Sequence, residues 1–242
     1  MDIFQTKEIH ANLKDEMISL TNRVSGVGEA YLLSRFEIYN KVVCLRRNQK
    51  LLAFQLVQTF ELGGEKYVYF GPLFSKMSCF LDLFMDYLLF VMGENKGRSI
   101  HLLAEIENPE VLLLFKALFE DQAFPKFQDC HVPDEIKKSL LVFSEQISHI
   151  ENLDIQRLTS SSKDSLYQHR RAHVEIEQWL HSRNIDLSNG KKVVLYSTIS
   201  HEPITRKEFK VQLERNRKQM EKWKERKKEV LGLFKGGIVS SV

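Results

Sequence analysis

Glu105 and Glu107 stand two residues apart in a segment where Ile100, Leu102, Ala104 and Ile106 alternate with His101, Glu105 and Glu107. That period of two predicts a buried strand and puts both carboxylates on one of its faces. A carboxylate so placed can take a proton as a general base; as an ordinary strand-end side chain it is a solvated anion. Asn108 can cap the helix that follows, and Pro109 sits at a first helical position, where its missing N–H costs nothing. Ser75, Lys76 and Ser78 precede another apolar helix, whose start could hold an anion; an ordinary capped loop explains them equally, and Phe74 and Met77 are bulky for a close approach. His169 and His173 lie one helical turn apart, but Arg170 and Arg171 stand between them where a zinc protease needs a glutamate, so the pair reads as a surface helix. The chain has no Gly-x-Ser-x-Gly elbow, no Gly-Lys-Ser/Thr phosphate loop and no Gly-x-Gly-x-x-Gly fingerprint.

The elements that must position these residues follow from periodicity. A short strand over 2–6 precedes a helix over 11–24, with Leu13, Met17, Leu20 and Val24 on one face. Residues 29–39 read as a helix or an irregular arm. Strands over 41–46, 50–61 and 65–70 form an antiparallel meander, turned by Arg47-Asn48-Gln49 and by Gly63-Gly64, and ended by Gly71-Pro72. A helix over 78–92, capped by Ser75 or Ser78, carries Leu81, Phe84, Met85, Leu88 and Leu89. After the strand ending near Glu107, a helix runs through Val111, Leu114, Phe115 and Leu118. Further on, helices are expected over 133–147 and 165–183, and strands over 153–158 and 191–199. One long basic helix is expected over 205–234, opened by a Thr205-x-x-Glu208 capping box and ended by Gly236-Gly237. Its apolar seam is Phe209, Leu213, Met220, Trp223, Leu231 and Phe234.

The chain has 242 residues, 43% hydrophobic and 28% charged, an ordinary composition for a soluble globular protein. No stretch approaches the roughly 18 apolar residues of a membrane span, and the first residues lack the basic start and apolar core of a secretory signal. Cys44, Cys79 and Cys130 are too scattered for a disulfide framework or a zinc knuckle, which makes a reducing cytoplasm the expected compartment and gives no metal site. The formal charge of +3 conceals a contrast, because residues 201–242 carry twelve Lys and Arg against six Glu.

The order of elements (helices, meander, helix, strand, helix) and the strand–Asn–helix unit at 99–127 resemble the GNAT N-acyltransferase superfamily over residues 1–127. The resemblance implies an α/β fold, a mixed, mostly antiparallel sheet flanked by helices, spanning 1–200, with residues 201–242 as a basic helical extension. It implies acyl transfer from acetyl-CoA or a longer acyl-CoA, or from an acylated carrier protein, to an amine of a small molecule or protein. Donor-binding residues would be Phe70, Gly71, Leu73, Ser75, Lys76, Ser78 and Asn108, with backbone of 67–70 and 101–106 pairing with the pantetheine arm. The pyrophosphate loop would be degenerate, since no glycine follows Gly71 there and no arginine is present. Glu105 or Glu107 would accept the amine proton. The superfamily often uses a tyrosine seven residues after the Asn as acid for the thiolate; here that position is Phe115, leaving Tyr69 or Tyr67 as substitute. The rival expectation is a non-catalytic module of the same fold, working through the basic helix on a protein partner or a second copy. Nucleic acid is the lesser reading of that helix, because its cations are interleaved with glutamates at helical spacing.

Overall fold

The computed structural model describes residues 1–76, 79–129, 131–161, 173–187 and 190–237. It has an α/β fold with mostly antiparallel strands flanked by helices, and a long C-terminal helical extension. Two compact units divide the chain, Met1–Ile100 and His101–Val242.

In the first unit, β1 (Asp2–Gln5), β2 (Lys41–Arg47), β3 (Lys50–Leu62) and β4 (Glu65–Ser75) pair in that order, each antiparallel to the next. Asn48 and Gln49 turn β2 into β3 at positive φ, and Gly63 and Gly64 (φ 61° and 82°) turn β3 into β4, a geometry that glycine adopts without strain. Helices α1 (Ala11–Val24), α2 (Glu29–Phe36) and α3 (Phe80–Glu94) complete the unit. Leu13, Met17 and Leu20 of α1 and Phe84, Met85 and Leu88 of α3 are buried, as the three-to-four spacing requires, while Val24, Leu81 and Leu89 are only part-buried and Leu83 is buried instead.

β4 departs from expectation by running through Gly71 and Pro72 to Ser75. Val57 opposes Phe70 and Gln55 opposes Leu73, so the pairing shifts by one residue and a bulge absorbs the glycine and proline. Ser75 therefore closes a strand and does not cap α3, whose N-cap is Cys79 with no side-chain cap bond.

In the second unit, β5 (Ile100–Ile106), whose first residue closes the preceding unit, lies beside β9 (Lys191–Ile199), then β8 (Thr159–Ser161), then β7 (Glu151–Asp154). β6 (Ala123–Phe124) also pairs with β9. The single strand expected over 153–158 is instead this β7–β8 hairpin, turned by residues 155–158. Helices α4 (Pro109–Phe119), α5 (Asp134–Gln146) and α6 (Val174–Ser182) intervene; part of the helix expected over 165–183 lies outside the described residues.

The basic extension is helical but broken into α7 (Pro203–Gln219) and α8 (Trp223–Gly236) by a 3₁₀ turn at Met220–Lys222. The tighter turn rotates the seam, so the buried residues of α8 are Arg226, Val230 and Phe234, while Trp223 and Leu231 are only part-buried. α7 begins at Pro203, two residues before Thr205. The expected capping box does not form, and Thr205 Oγ1 bonds instead to Glu202. The seam packs on the unit's own core: Phe209 lies 6.1 Å from Phe119, and Phe234 lies 5.2 Å from Trp179, both between ring centroids. Gly237 ends α8 where a Cβ would come 1.8 Å from the Phe127 carbonyl oxygen, so only glycine fits. No helix among the described residues is long and apolar enough to cross a membrane.

Candidate active site

The strand alternation read from the sequence gives β5 one apolar face and one mixed face, the latter bearing His101, the buried Leu103, Glu105 and, just beyond the strand end, Glu107. Both sides are covered. His101 is 6% exposed and Glu107 is 4% exposed, so Glu107 is not the solvated strand-end anion that its position suggests. Ser160 of β8, itself buried, donates its hydroxyl to the Glu105 carboxylate. Tyr196 of β9 places its hydroxyl 2.6 Å from His101 Nδ1, and Thr198 Oγ1 donates to the same phenol oxygen at 2.8 Å. Removing carboxylates and an imidazole from water is costly unless each is hydrogen-bonded.

At the exit of β5, Asn108 is the N-cap of α4. Its Oδ1 accepts from the Glu110 N–H at 2.9 Å, and Pro109 occupies the first helical turn. The cap consumes the oxygen of the side-chain amide and leaves its Nδ2 group to donate. Glu110 takes His173 Nε2 at 2.5 Å and Lys227 Nζ at 3.1 Å. Burial pushes the Glu110 carboxyl up, but the His173 and Lys227 bonds outweigh it and hold the group below the ordinary range. α8 and the start of α6 thus grip the first turn of α4. His173 serves as this anchor; His169 lies outside the described residues.

In the first unit, Tyr69, Phe70, Gly71, Leu73 and Ser75 follow one another along β4, and Lys76 is the exposed residue after it. Tyr69 is buried and stacks on Tyr39 with centroids 5.9 Å apart; Tyr67 stacks on Phe60 and donates to Glu65 at 3.3 Å. Phe70 is buried against Phe84 and Tyr87. Gly71 passes beneath Tyr39 so closely that a Cβ would lie 2.2 Å from the ring. The Ser75 hydroxyl bonds to the Lys76 carbonyl at 2.7 Å, and the Lys76 N–H is taken by Leu52 O. Ser78 lies outside the described residues.

Sequence reasoning passed over His101, Tyr196 and Ser160. Their signal was present in part: His101 has the same strand parity as Glu105, and Tyr196 falls in the 191–199 alternation. Which strands become neighbours is a long-range matter that periodicity does not encode. Phe115, at the position the resemblance gives to an acid, is buried in the core of its unit. Among the described residues no group of three or more His, Cys, Asp or Glu is placed to hold a metal ion.

The chain matches no protein-family model and no curated protein. Among solved structures it is similar to aminoglycoside 6'-acetyltransferase type Ii, at 11% identity over 84% of this chain and 100% of that one, with a TM-score of 0.40. It is similar to the aminoglycoside 6'-N-acetyltransferase from Enterococcus faecium, at 12% identity over 84% and 99% of the two chains, with a TM-score of 0.40. An aminoglycoside 6'-N-acetyltransferase complexed with coenzyme A gives 11% identity, 84% and 99% coverage, and a TM-score of 0.36. By its own elements the chain is an α/β protein of mostly antiparallel strands with flanking helices and a helical C-terminal extension.

Proposed function

We propose that this protein is an acyl-CoA-dependent N-acyltransferase acting on an amine of a small molecule or a protein. The observation that carries the reading is the β5–Asn108–α4 junction, where a capped asparagine keeps an amide donor available beside a buried carboxylate, Glu107. That is the strand–Asn–helix unit on which the resemblance to the GNAT superfamily rests. The element order of residues 1–127 supports it too.

In this reading Asn108 donates from Nδ2 to the donor's amide carbonyl, and Phe70, Gly71, Leu73, Ser75, Lys76 and Ser78 supply the remaining donor contacts. The amine nitrogen attacks the thioester carbonyl, a C–N bond forms, and the C–S bond breaks. Glu105 or Glu107 takes the surplus proton from nitrogen, and the departing thiolate takes one from Tyr69 or water. Most of the acceleration comes from holding amine and thioester together.

Titration of the full chain with acetyl-CoA, a long-chain acyl-CoA and acylated carrier protein tests the reading. A saturable rise in melting temperature with at least one donor is expected, since a ligand that binds only the folded state stabilises it. Absence of any shift with all three rejects it.

A second reading, an interaction module, is favoured by one observation. Ile204 and Val211 of α7 are 75% and 55% exposed although the seam residues beside them are buried. They line a groove of about 870 Å³ between α7, α8 and Glu120. If the groove pairs two copies of the chain, Val211→Glu converts a dimer into a monomer in sedimentation; a wild-type chain monomeric at high concentration removes this form of the reading.

A further inference from the structure

Lys207 and Glu208 stand side by side on the exposed face of α7, and among the described residues neither side chain has a hydrogen-bond or ion-pair partner. Lys210 and Arg226, by contrast, are matched within the chain, the first to Glu214 and the second to Glu120 and Glu229. The unmatched pair is bracketed by Ile204 and Val211, 75% and 55% exposed. These four residues fall at i, i+3, i+4 and i+7, one helix face about 10 Å long at roughly 1.5 Å per residue. All four line the groove of about 870 Å³. The stripe has opposite charges at its centre and a large apolar side chain at each end, so it is its own complement when turned end for end.

We propose that this face of α7 is a self-recognition surface: two copies pair α7 against α7, antiparallel, about a two-fold axis that passes between Lys207 and Glu208. Ile204 of each copy then lies opposite Val211 of the other, and Lys207 of each meets Glu208 of the other. A two-fold contact requires such a stripe, because one patch must fit itself. Charge fixes the register. Centring the axis on Val211 would set Lys207 against Arg215 and Glu208 against Glu214, and a parallel pairing would set Lys207 against Lys207. Like charges so opposed disfavour both alternatives. The apolar ends supply most of the affinity, and the central ion pairs, worth little when exposed, supply the selectivity. One helix face per copy falls short of the ~1,200 Å² that stable interfaces bury, so the dimer is a weak one, dissociating in the micromolar range or above. The inference rests on the reading of the groove as a contact between copies, and adds its axis, its register and the residues that discriminate.

Sedimentation equilibrium of the full chain tests this with two charge swaps. The wild type is expected to dimerise. Lys207→Glu opposes glutamate to glutamate at both central contacts, Glu208→Lys opposes lysine to lysine, and each should weaken the dimer about tenfold or more. An equal mixture of the two variants should recover association, because every central contact then joins a lysine to a glutamate. The Lys207→Glu/Glu208→Lys double variant should recover it for the same reason. Both positions are exposed and unbonded, and melting followed by circular dichroism checks that each variant folds as the wild type does. A wild-type chain that stays monomeric at millimolar concentration overturns this inference together with the pairing of copies through the groove. A dimer indifferent to both swaps, or swaps that neither the mixture nor the double variant rescues, overturns the register alone and leaves that pairing in place.

Discussion

Gly71 runs directly beneath the ring of Tyr39, and a Cβ on Gly71 would sit 2.2 Å from its Cε1 and 2.7 Å from its hydroxyl oxygen. Tyr39 is itself held, stacked on Tyr69 and 4% exposed, so it has nowhere to retreat. Gly71→Ala is therefore expected to destabilise the first unit by about 2 kcal/mol, the range of overpacking a filled core. Tyr39→Phe should not relieve the cost, because ring carbons make the closest approaches; Tyr39→Leu should relieve part of it. Denaturant midpoints of the single and double variants check this.

Asn108 separates structure from function by substitution. Asn108→Ala removes the cap and should cost about 1 kcal/mol. Asn108→Ser keeps a capping oxygen but lacks the amide donor, so stability should stay near wild type while acyl-CoA affinity falls. Equal donor affinity in wild type and Asn108→Ser would remove Asn108 from the donor site.

Lys116 gives the second unit an alkaline signature. It is fully buried, with Nζ donating to the carbonyls of Glu120, Ala123 and Pro125 at 2.6, 3.1 and 3.0 Å, and lying over the Phe127 ring. Burial pulls its pKa down to about 7, against the opposing pull of Asp121. In the unfolded chain a lysine titrates near ~10.4, so between those values the unfolded state binds the extra proton and stability rises with pH. Chemical denaturation at pH 7 and near pH 9.5 should show that rise, and Lys116→Met should abolish it while lowering stability at pH 7 by leaving three carbonyls without a donor.

Glu110 gives the acid counterpart. Its carboxyl is held below the usual range despite burial, because His173 and Lys227 favour the anion. A depressed carboxylate contributes stability that is present above its unfolded value, about 4.3, and is lost as pH falls through the folded value. Glu110→Gln should show a shallower acid loss than wild type in pH-dependent melting, and it should weaken the tie between Lys227 and the first turn of α4 while the Arg226 bond to the Ala117 carbonyl stays in place.

Cys44 should be chemically silent. It is fully buried, and burial pushes its thiol up to about 12, leaving almost no thiolate at neutral pH. An aromatic disulfide reagent should label it only after denaturant is added; rapid labelling of Cys44 in the native protein would contradict the packing of β2.

What the sequence determined by itself was local. The alternation of 100–107, the turn at Gly63-Gly64, the α1 stripe, and Asn108-Pro109 as a helix start all depend on neighbours within a few residues, and all appear where expected. The mixed face of β5 was legible in the same way. Tertiary structure decided the rest. Gly71-Pro72 looks like a strand end, but pairing with β3 carries β4 onward because a bulge costs less than leaving Leu73–Ser75 unpaired. Lys116 looks like a solvent-facing helix residue until the 120–125 turn folds three carbonyls around it. His101 and Tyr196 are 95 residues apart, and only the placement of β9 beside β5 brings them to hydrogen-bonding distance. Periodicity says which face a side chain takes, because backbone geometry repeats; what meets that face depends on which distant segment can bury its own apolar side there.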